Sequence, residues 1–411
     1  MRSRVLTLHK LYETMKADMI IREITDRLAM LAESFPVLAV TGPRQSGKTT
    51  LARKQFKEHK YFNLESNSTL RLAQADPDGF VSGCGRAVID EIQRAPELLS
   101  SMQAVVDERG TNGDFVVSGS SNLLLSEKIS QSLAGRAAYA VLLPLSLSEL
   151  KRAGKMEPDF ASQLFKGFYP ALYKSAVPVA EFYDQYISTF VERDVRLVRN
   201  IADLGAFRKF LALLAGRIGQ LLNVESLAND TGITRRTAEE WISTLEECFV
   251  IFRLQPWFNN LGKRVMKSPK IYFYDTGVAC RLLGLASPSE VGSFYLRGGL
   301  FENMVIAEAM KHIANHGLSA RLYFWRDSNG NEVDLLVDCG VRKIPVEIKS
   351  SSTFSSEFVK GIKVLRKAVE ASGGKLGEGA VVCDCEPFAL PGCQIVNWRD
   401  LSPVVSRMSH Q

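Results

Sequence analysis

Long apolar runs are missing from this 411-residue chain, and no stretch approaches the length that a membrane span needs. No leader is expected either, because the apolar residues that follow Arg2 and Arg4 stop at His9 and Lys10, too early for a signal peptide. Cysteine is scattered rather than paired. The seven thiols (Cys84, Cys248, Cys280, Cys339, Cys383, Cys385 and Cys393) show no CxxC spacing, and no histidine stands near the last three. This excludes a disulfide framework and argues against a zinc site, so reduced thiols in a cytoplasmic protein are expected. Nor is there a large excess of charge of one sign. A formal charge of +6 permits contact with nucleic acid without requiring it. What remains is an ordinary globular composition, 46% hydrophobic and 23% charged, in a chain long enough for two to four domains.

Against that background one stretch stands out. Val37-Leu38-Ala39-Val40 runs into Gly42-Pro43-Arg44-Gln45-Ser46-Gly47-Lys48-Thr49-Thr50, which fills the G-x-x-x-x-G-K-[ST] template of a phosphate-binding loop. The glycines let successive N–H groups turn towards a phosphate, and the helix that starts near Lys48 adds its positive end. Lys48 is expected on the β- and γ-phosphates of ATP, and the Thr49 hydroxyl on Mg2+. Downstream, Arg86-Ala87-Val88-Ile89-Asp90-Glu91 is an apolar strand that ends in two carboxylates. In this position Asp90 would hold the magnesium through water, and Glu91 would orient and deprotonate the attacking water. A further strand, Phe115 to Ser118, ends in a polar cluster. Its residues Ser118, Ser120 and Asn122 are candidates for sensing the γ-phosphate, although any turn uses such residues. Strands alternating with helices predict a parallel sheet with helices on both faces, an α/β fold.

The middle of the chain reads as helical from 145 to 200. The order helix, turn at Gly232, helix Thr234 to Glu247, then two strands, predicts a winged helix, with Lys263, Arg264, Lys267 and Lys270 in the loop between the strands. DNA is the usual partner of such a module. Glu239, Glu240, Glu246 and Glu247 on its second helix repel phosphates, which leaves protein contact or packing on the ATPase core as the alternative.

The last third holds a second set of polar residues. With Cys339 to Arg342 as a hairpin loop, Asp338 faces Lys343 and Asp334 falls opposite Glu347. Lys349 projects from the same face, two residues on. Opposed carboxylates need a cation between them. Asp334, Glu347 and Lys349, with Glu302 as a further ligand, suit a second Mg2+ or a Mn2+ that activates water at a phosphodiester; a salt-bridged sheet face is the other reading.

Taken together, Gly42 to Thr50, Ile89 to Glu97, Leu133-Ala134-Gly135-Arg136, Glu192-Arg193-Asp194, Tyr274 to Gly277, Phe301-Glu302-Asn303, Glu332 to Asp334 and Val346 to Lys349 resemble bacterial and archaeal AAA-type ATPases that carry a C-terminal domain of unknown function. The resemblance spans roughly Met19 to residue 370. It implies a homo-oligomer, such as a hexameric ring, in which Arg136 reaches a neighbouring subunit's nucleotide. It implies too that Asn63 restrains the catalytic glutamate. The C-terminal part is similar to restriction-endonuclease-like folds, whose metal-binding signature Asp334, Glu347 and Lys349 match. The expected organisation is an extension (1–18), an AAA-like core (19–150), a helical lid or linker (151–205), a winged helix (206–285) and a nuclease-like α/β domain (286–411). Two functions fit: a Mg2+-dependent ATPase acting on DNA through a nuclease-like domain, or a nucleotide-switched regulator that binds a protein partner and keeps that domain as a scaffold. No membrane partner is expected.

Overall fold

Five short strands build the first sheet: β1 (Val37–Thr41), β2 (Lys60–Asn63), β3 (Ala87–Asp90), β4 (Phe115–Gly119) and β5 (Ala137–Val141). They lie in the order β2-β3-β4-β1-β5, every neighbouring pair parallel. β1, β3 and β4 are buried at every position, as expected of strands covered on both faces. Their side chains alternate between two cores. Val37, Ala39, Ile89 and Val117 pack against the helices Pro77–Cys84 and Leu98–Arg109, while Leu38, Val40, Val88 and Val116 pack against Thr25–Ser34 and Lys48–Gln55. The structure is a computed structural model that describes residues 20–120, 132–191, 203–258 and 268–408. The expectations for the first eighteen residues, Asn122, Glu192-Arg193-Asp194 and the loop residues Lys263, Arg264 and Lys267 lie outside those residues.

The polar stretch before β3 forms two helices, Asn67–Ala75 and Pro77–Cys84. The Asp76 carboxylate accepts from Gly79 N at 2.9 Å, and Pro77 occupies the first turn, where its missing N–H costs nothing. The proline therefore opens a helix here.

Eight strands form the second sheet: β6 (Ile251–Pro256), β7 (Lys270–Phe273), β8 (Arg321–Arg326), β9 (Glu332–Cys339), β10 (Arg342–Ile348), β11 (Gly379–Cys383), β12 (Phe388–Leu390) and β13 (Cys393–Asn397). Their order is β12-β13-β11-β10-β9-β8-β6-β7. The hairpin β6–β7, which follows the helices Leu204–Ala215, Val224–Thr231 and Arg235–Glu247, is thus an edge of the C-terminal sheet, joined through the parallel pair β6–β8. One continuous apolar cluster runs from Leu145 to Met408. It holds the helical segment after β5, the three helices, the hairpin and one face of the second sheet.

A buried ionic network joins this body to the first sheet. Arg22 Nη1 donates to Ser46 O in the phosphate-binding loop at 2.7 Å, Nη2 to Leu143 O at 2.7 Å, and Nε to both oxygens of Glu149 at 3.1 Å. Glu149 also closes a capping box with Ser146. The next residue, Leu147, donates its N–H to Glu308 at 2.8 Å. Glu308 is paired at 2.6 Å with Lys311, which donates to Leu145 O and lies over the Phe168 ring. Within this network Arg22, Glu149, Glu308 and Lys311 each have an opposite charge and backbone partners, the condition under which such a network is tolerated.

Candidate nucleotide site and a C-terminal carboxylate cluster

The phosphate-binding loop connects β1 to the helix Lys48–Gln55. Gly42 has φ +141°, and a Cβ there would lie 2.2 Å from Leu142 O, so no other residue fits. Gly47 caps the helix in the left-handed region. Lys48 Nζ donates to Gly42 O at 2.8 Å and Pro43 O at 2.9 Å, across the mouth of the loop. Thr49 Oγ1 donates to Asp90 Oδ2 at 2.6 Å, which brings together the two residues assigned to the magnesium.

Asp90 is held by hydroxyl groups. Tyr61 OH donates to Oδ2 at 2.8 Å, and Ser118 Oγ to Oδ1. Neutral donors fix the carboxylate without cancelling its charge. Glu91, next in the chain, has φ +58°, a left-handed conformation unusual for a non-glycine residue. Such strain costs about 1–3 kcal/mol and concentrates at working sites. Burial raises the Glu91 pKa, opposed by Lys48 and Arg44, and Asp90 raises it further. Its side-chain partners are Gln93 Nε2 and, at 3.4 Å, Ser120 Oγ.

Arg44, Gln45, Gly47, Lys48, Thr49, Thr50 and Glu91 line one open cleft, with Pro170, Ala171 and Lys174 from the helical segment on the opposite wall. A largely apolar cavity continues behind the loop, lined by Ile20, Ile21, Leu51, Leu145 and Pro170. Phosphate groups and a flat apolar base thus have adjoining places. Asn63 lies elsewhere in the hydrogen-bond pattern. Its side-chain oxygen accepts from Glu65 N at 2.8 Å and holds the turn after β2, while Glu91 is bonded to Gln93.

Arg136 stands just before β5, at the edge of the sheet, and its carbonyl accepts from Val37 N at 3.1 Å. It is therefore level with the start of β1, about 13 Å of strand away from its own phosphate-binding loop. Its guanidinium forms a two-pronged, solvent-exposed pair with Asp107, at 2.5 and 2.8 Å.

The C-terminal cluster has the expected register. Lys343 pairs with Asp338 and Val346 with Leu335, so the next step brings Glu347 opposite Asp334. The cation between them is Lys349, whose Nζ lies 3.0 Å from Asp334 Oδ2 and 2.9 Å from Glu347 Oε1. Ile348 N adds a 2.8 Å bond to Asp334. Glu302 is otherwise engaged. It accepts from Lys270 Nζ at 2.9 Å and Tyr272 OH at 2.5 Å, and Lys270 also pairs with Glu332.

Two expectations change as a result. Lys270 is not in a basic loop but is the first residue of β7, opposite Leu254 and only 3% exposed. Glu302 is not gathered with Asp334 and Glu347 as a third ligand, and among the described residues no group of three or more His, Cys, Asp or Glu could hold a metal ion. Positive charge beside these carboxylates comes from the ammonium groups of Lys270 and Lys349. Burial and the neighbouring Asp334 raise the pKa of Glu347, and burial, opposed by Lys270 and reinforced by Asp334, raises that of Glu302.

Residues 34–151 match the family profile described as an AAA domain. Residues 297–396 match a domain of unknown function (DUF4143), and 157–289 a second such domain (DUF8612). An uncharacterized protein of Mycobacterium tuberculosis is 32% identical over 342 residues, covering 81% of this chain and 74% of that protein. The chain belongs to the AAA-domain ATPases with a C-terminal domain of unknown function. An uncharacterized protein of Methanocaldococcus jannaschii is 26% identical over 322 residues, covering 70% of this chain and 65% of its own. Among solved structures, the Walker-type ATPase of Pyrococcus abyssi aligns with a TM-score of 0.40 at 18% identity, over 64% of this chain and 96% of that one.

For this AAA-domain ATPase the geometry adds residues that the motifs did not disclose. Tyr61 and Arg22 act on Asp90 and the loop backbone from far away in sequence, and Pro170 and Lys174 reach the cleft from another domain segment. Gln93 could have been noticed, because it stands two residues beyond Glu91 in the Ile89 to Glu97 motif. No helix among the described residues is long and apolar enough to cross a membrane.

Proposed function

We propose that the protein is a magnesium-dependent ATP hydrolase that works as a nucleotide-switched regulator, with the C-terminal half serving as a scaffold for a protein partner. The observation that carries the hydrolase reading is the Thr49–Asp90 contact at 2.6 Å beside Glu91, in the cleft that also holds Lys48. Thr49 and Asp90 offer the hard oxygen donors that magnesium takes, and these residues would hold it. Magnesium bound there supplies charge neutralisation on the β- and γ-phosphates. Lys48 binds the same phosphates, Glu91 orients the attacking water and accepts its proton, and Ser120 lies near the γ-phosphate. Arg136, remote from its own loop, serves the nucleotide of a neighbouring copy. Phosphate release from MgATP tests the reading: turnover in the wild type and none in Lys48→Ala is expected, and a wild type without turnover defeats it.

The scaffold part rests on charge. The arginines that would meet phosphates on the helix Arg235–Glu247 are engaged within the helix, Arg235 with Glu239 at 2.9 Å and Arg236 with Glu240 at 3.1 Å. A second reading, action on DNA through a winged helix and a nuclease-like domain, is favoured by a different observation. Glu347 Oε2 is buried without a hydrogen-bond partner, on the same face as Asp334 and Lys349, where a divalent ion would satisfy it. Retention on DNA that weakens steeply with added salt would favour the second reading over the first.

A further inference from the structure

Three side chains meet behind the cleft. Gln93 sits on the 3-10 turn Ile92–Arg94, immediately after β3, and Ser120 stands one residue beyond the end of β4, the strand next to β3. Gln93 Nε2 donates to Glu91 Oε2, its other bond goes to Ser120 Oγ at 3.3 Å, and Ser120 Oγ closes the triangle on Glu91 Oε2 at 3.4 Å. The amide is placed at a cost. Its oxygen, Gln93 Oε1, is buried and has no hydrogen-bond partner among the described residues. An unsatisfied buried acceptor is unfavourable by about 1–3 kcal/mol. An amide retained only for packing would be better replaced by an apolar side chain of the same length, so the stabilising role of Gln93 must lie in what its NH2 group holds.

We propose that Gln93 is the positioning residue for the catalytic carboxylate, tying Glu91 to Ser120 so that Glu91 stays aimed into the cleft. The proposal rests on the hydrolase reading above. Glu91 is reached from its own backbone side by Asp90 and from the phosphate-binding loop by Lys48 and Arg44; Gln93 and Ser120 are its neutral partners. The left-handed backbone at Glu91 swings the following turn back, which allows a residue only two positions on to reach its carboxylate. Ser120 lies where the γ-phosphate is expected, so the triangle also links occupancy of that place to the orientation of Glu91. Gln93 itself need not touch nucleotide or water.

The experiment is steady-state phosphate release from MgATP in the full-length wild type, Gln93→Met and Gln93→Ala, with nucleotide affinity measured separately by a fluorescent ATP analogue. Gln93→Met keeps length and bulk while deleting the amide. General-base catalysis contributes about 10²–10⁴ in rate, and loss of its positioning is expected to lower kcat by about 10- to 100-fold in both variants. KM and analogue affinity should stay close to wild type, a split that a general loss of structure would not give. Ser120→Ala should lower kcat in the same way by less. An unchanged kcat in Gln93→Met, with the wild type turning over normally, overturns the proposal while leaving the hydrolase reading intact. Recovery of wild-type kcat in Gln93→Met but not in Gln93→Ala would make Gln93 a packing residue only, and also overturns it. A wild type that binds the analogue and releases no phosphate removes the hydrolase reading, and this proposal with it.

Discussion

The nucleotide cleft and the C-terminal carboxylate cluster both concentrate acidic groups at the ends or faces of strands, yet they are held in opposite ways. In the cleft Asp90 is fixed by Thr49, Tyr61 and Ser118, and Glu91 by Gln93 and Ser120; all five partners are uncharged. In the cluster Lys349 bridges Asp334 and Glu347, and Lys270 bridges Glu302 and Glu332. Neutral donors orient a carboxylate and leave its charge for a ligand. A lysine at 3 Å spends that charge inside the protein. Similar residue types therefore support different inferences, a ligand site in one case and a neutralised sheet face in the other.

That contrast can be tested at both ends, and the largest effects belong to the cleft. Glu91→Gln should bind ATP and hydrolyse it hardly at all. Arg136→Ala should lose about 10³-fold or more in rate, the range of an arginine finger. Mixing Arg136→Ala with Lys48→Ala should restore part of the activity, since each subunit lends what the other lacks. Absence of rescue in verified mixed assemblies would confine Arg136 to its pair with Asp107.

The next effect is on stability. Lys270→Met leaves Glu302 without its cation in a buried site, while Glu332 keeps Arg326 at 3.6 Å, and breaking a buried pair in this way costs about 3–5 kcal/mol. Denaturant unfolding should show that loss, with ATP turnover retained in the folded variant. A loss near zero would mean that the two carboxylates find other neutralisation, and the contrast with the cleft would weaken.

Glu347 sharpens the comparison through pH. Its pKa is pushed up to about 8 from an ordinary 4.5, mainly by burial and also by Asp334. A carboxyl raised in the folded state disfavours folding progressively as pH climbs from the unfolded value towards the folded one, because only the unfolded chain ionises freely. Glu347→Gln removes this penalty. Its Tm relative to wild type should therefore rise by a few degrees between pH 5 and pH 8. If the difference stays flat, Lys349 already keeps Glu347 ionised at neutral pH.

The smallest expected difference concerns metal. With lysines in place, calorimetry with manganese should find no binding that Asp334→Ala abolishes, and neither Mg2+ nor Mn2+ should support cleavage of DNA by the wild type. Clear binding and cutting, both lost in Asp334→Ala with ATPase unchanged, would replace the scaffold by a working nuclease.

Much of this was legible in the chain because the relevant interactions are local or follow a short period. The loop from Gly42 to Thr50 needs its glycines at defined backbone angles, and Asp90 and Glu91 follow an apolar strand that can only be buried. The hairpin at Cys339 to Arg342 transmits a two-residue period, which is why Asp334, Glu347 and Lys349 could be put on one face by counting.

Other features depend on groups far apart in sequence. Lys270 became a buried bridge only when β7 joined the C-terminal sheet and met Glu302 and Glu332, so a residue counted as loop charge turned out to neutralise the cluster. Tyr61 reaches Asp90 because β2 lies beside β3, and Arg22 reaches Ser46, Leu143 and Glu149 because the first helix packs behind the loop. Spacing along a strand or turn fixes where a side chain stands relative to its near neighbours. Whether its charge is cancelled, oriented or left available is set by partners that only folding brings within 3 Å, and no periodicity encodes them.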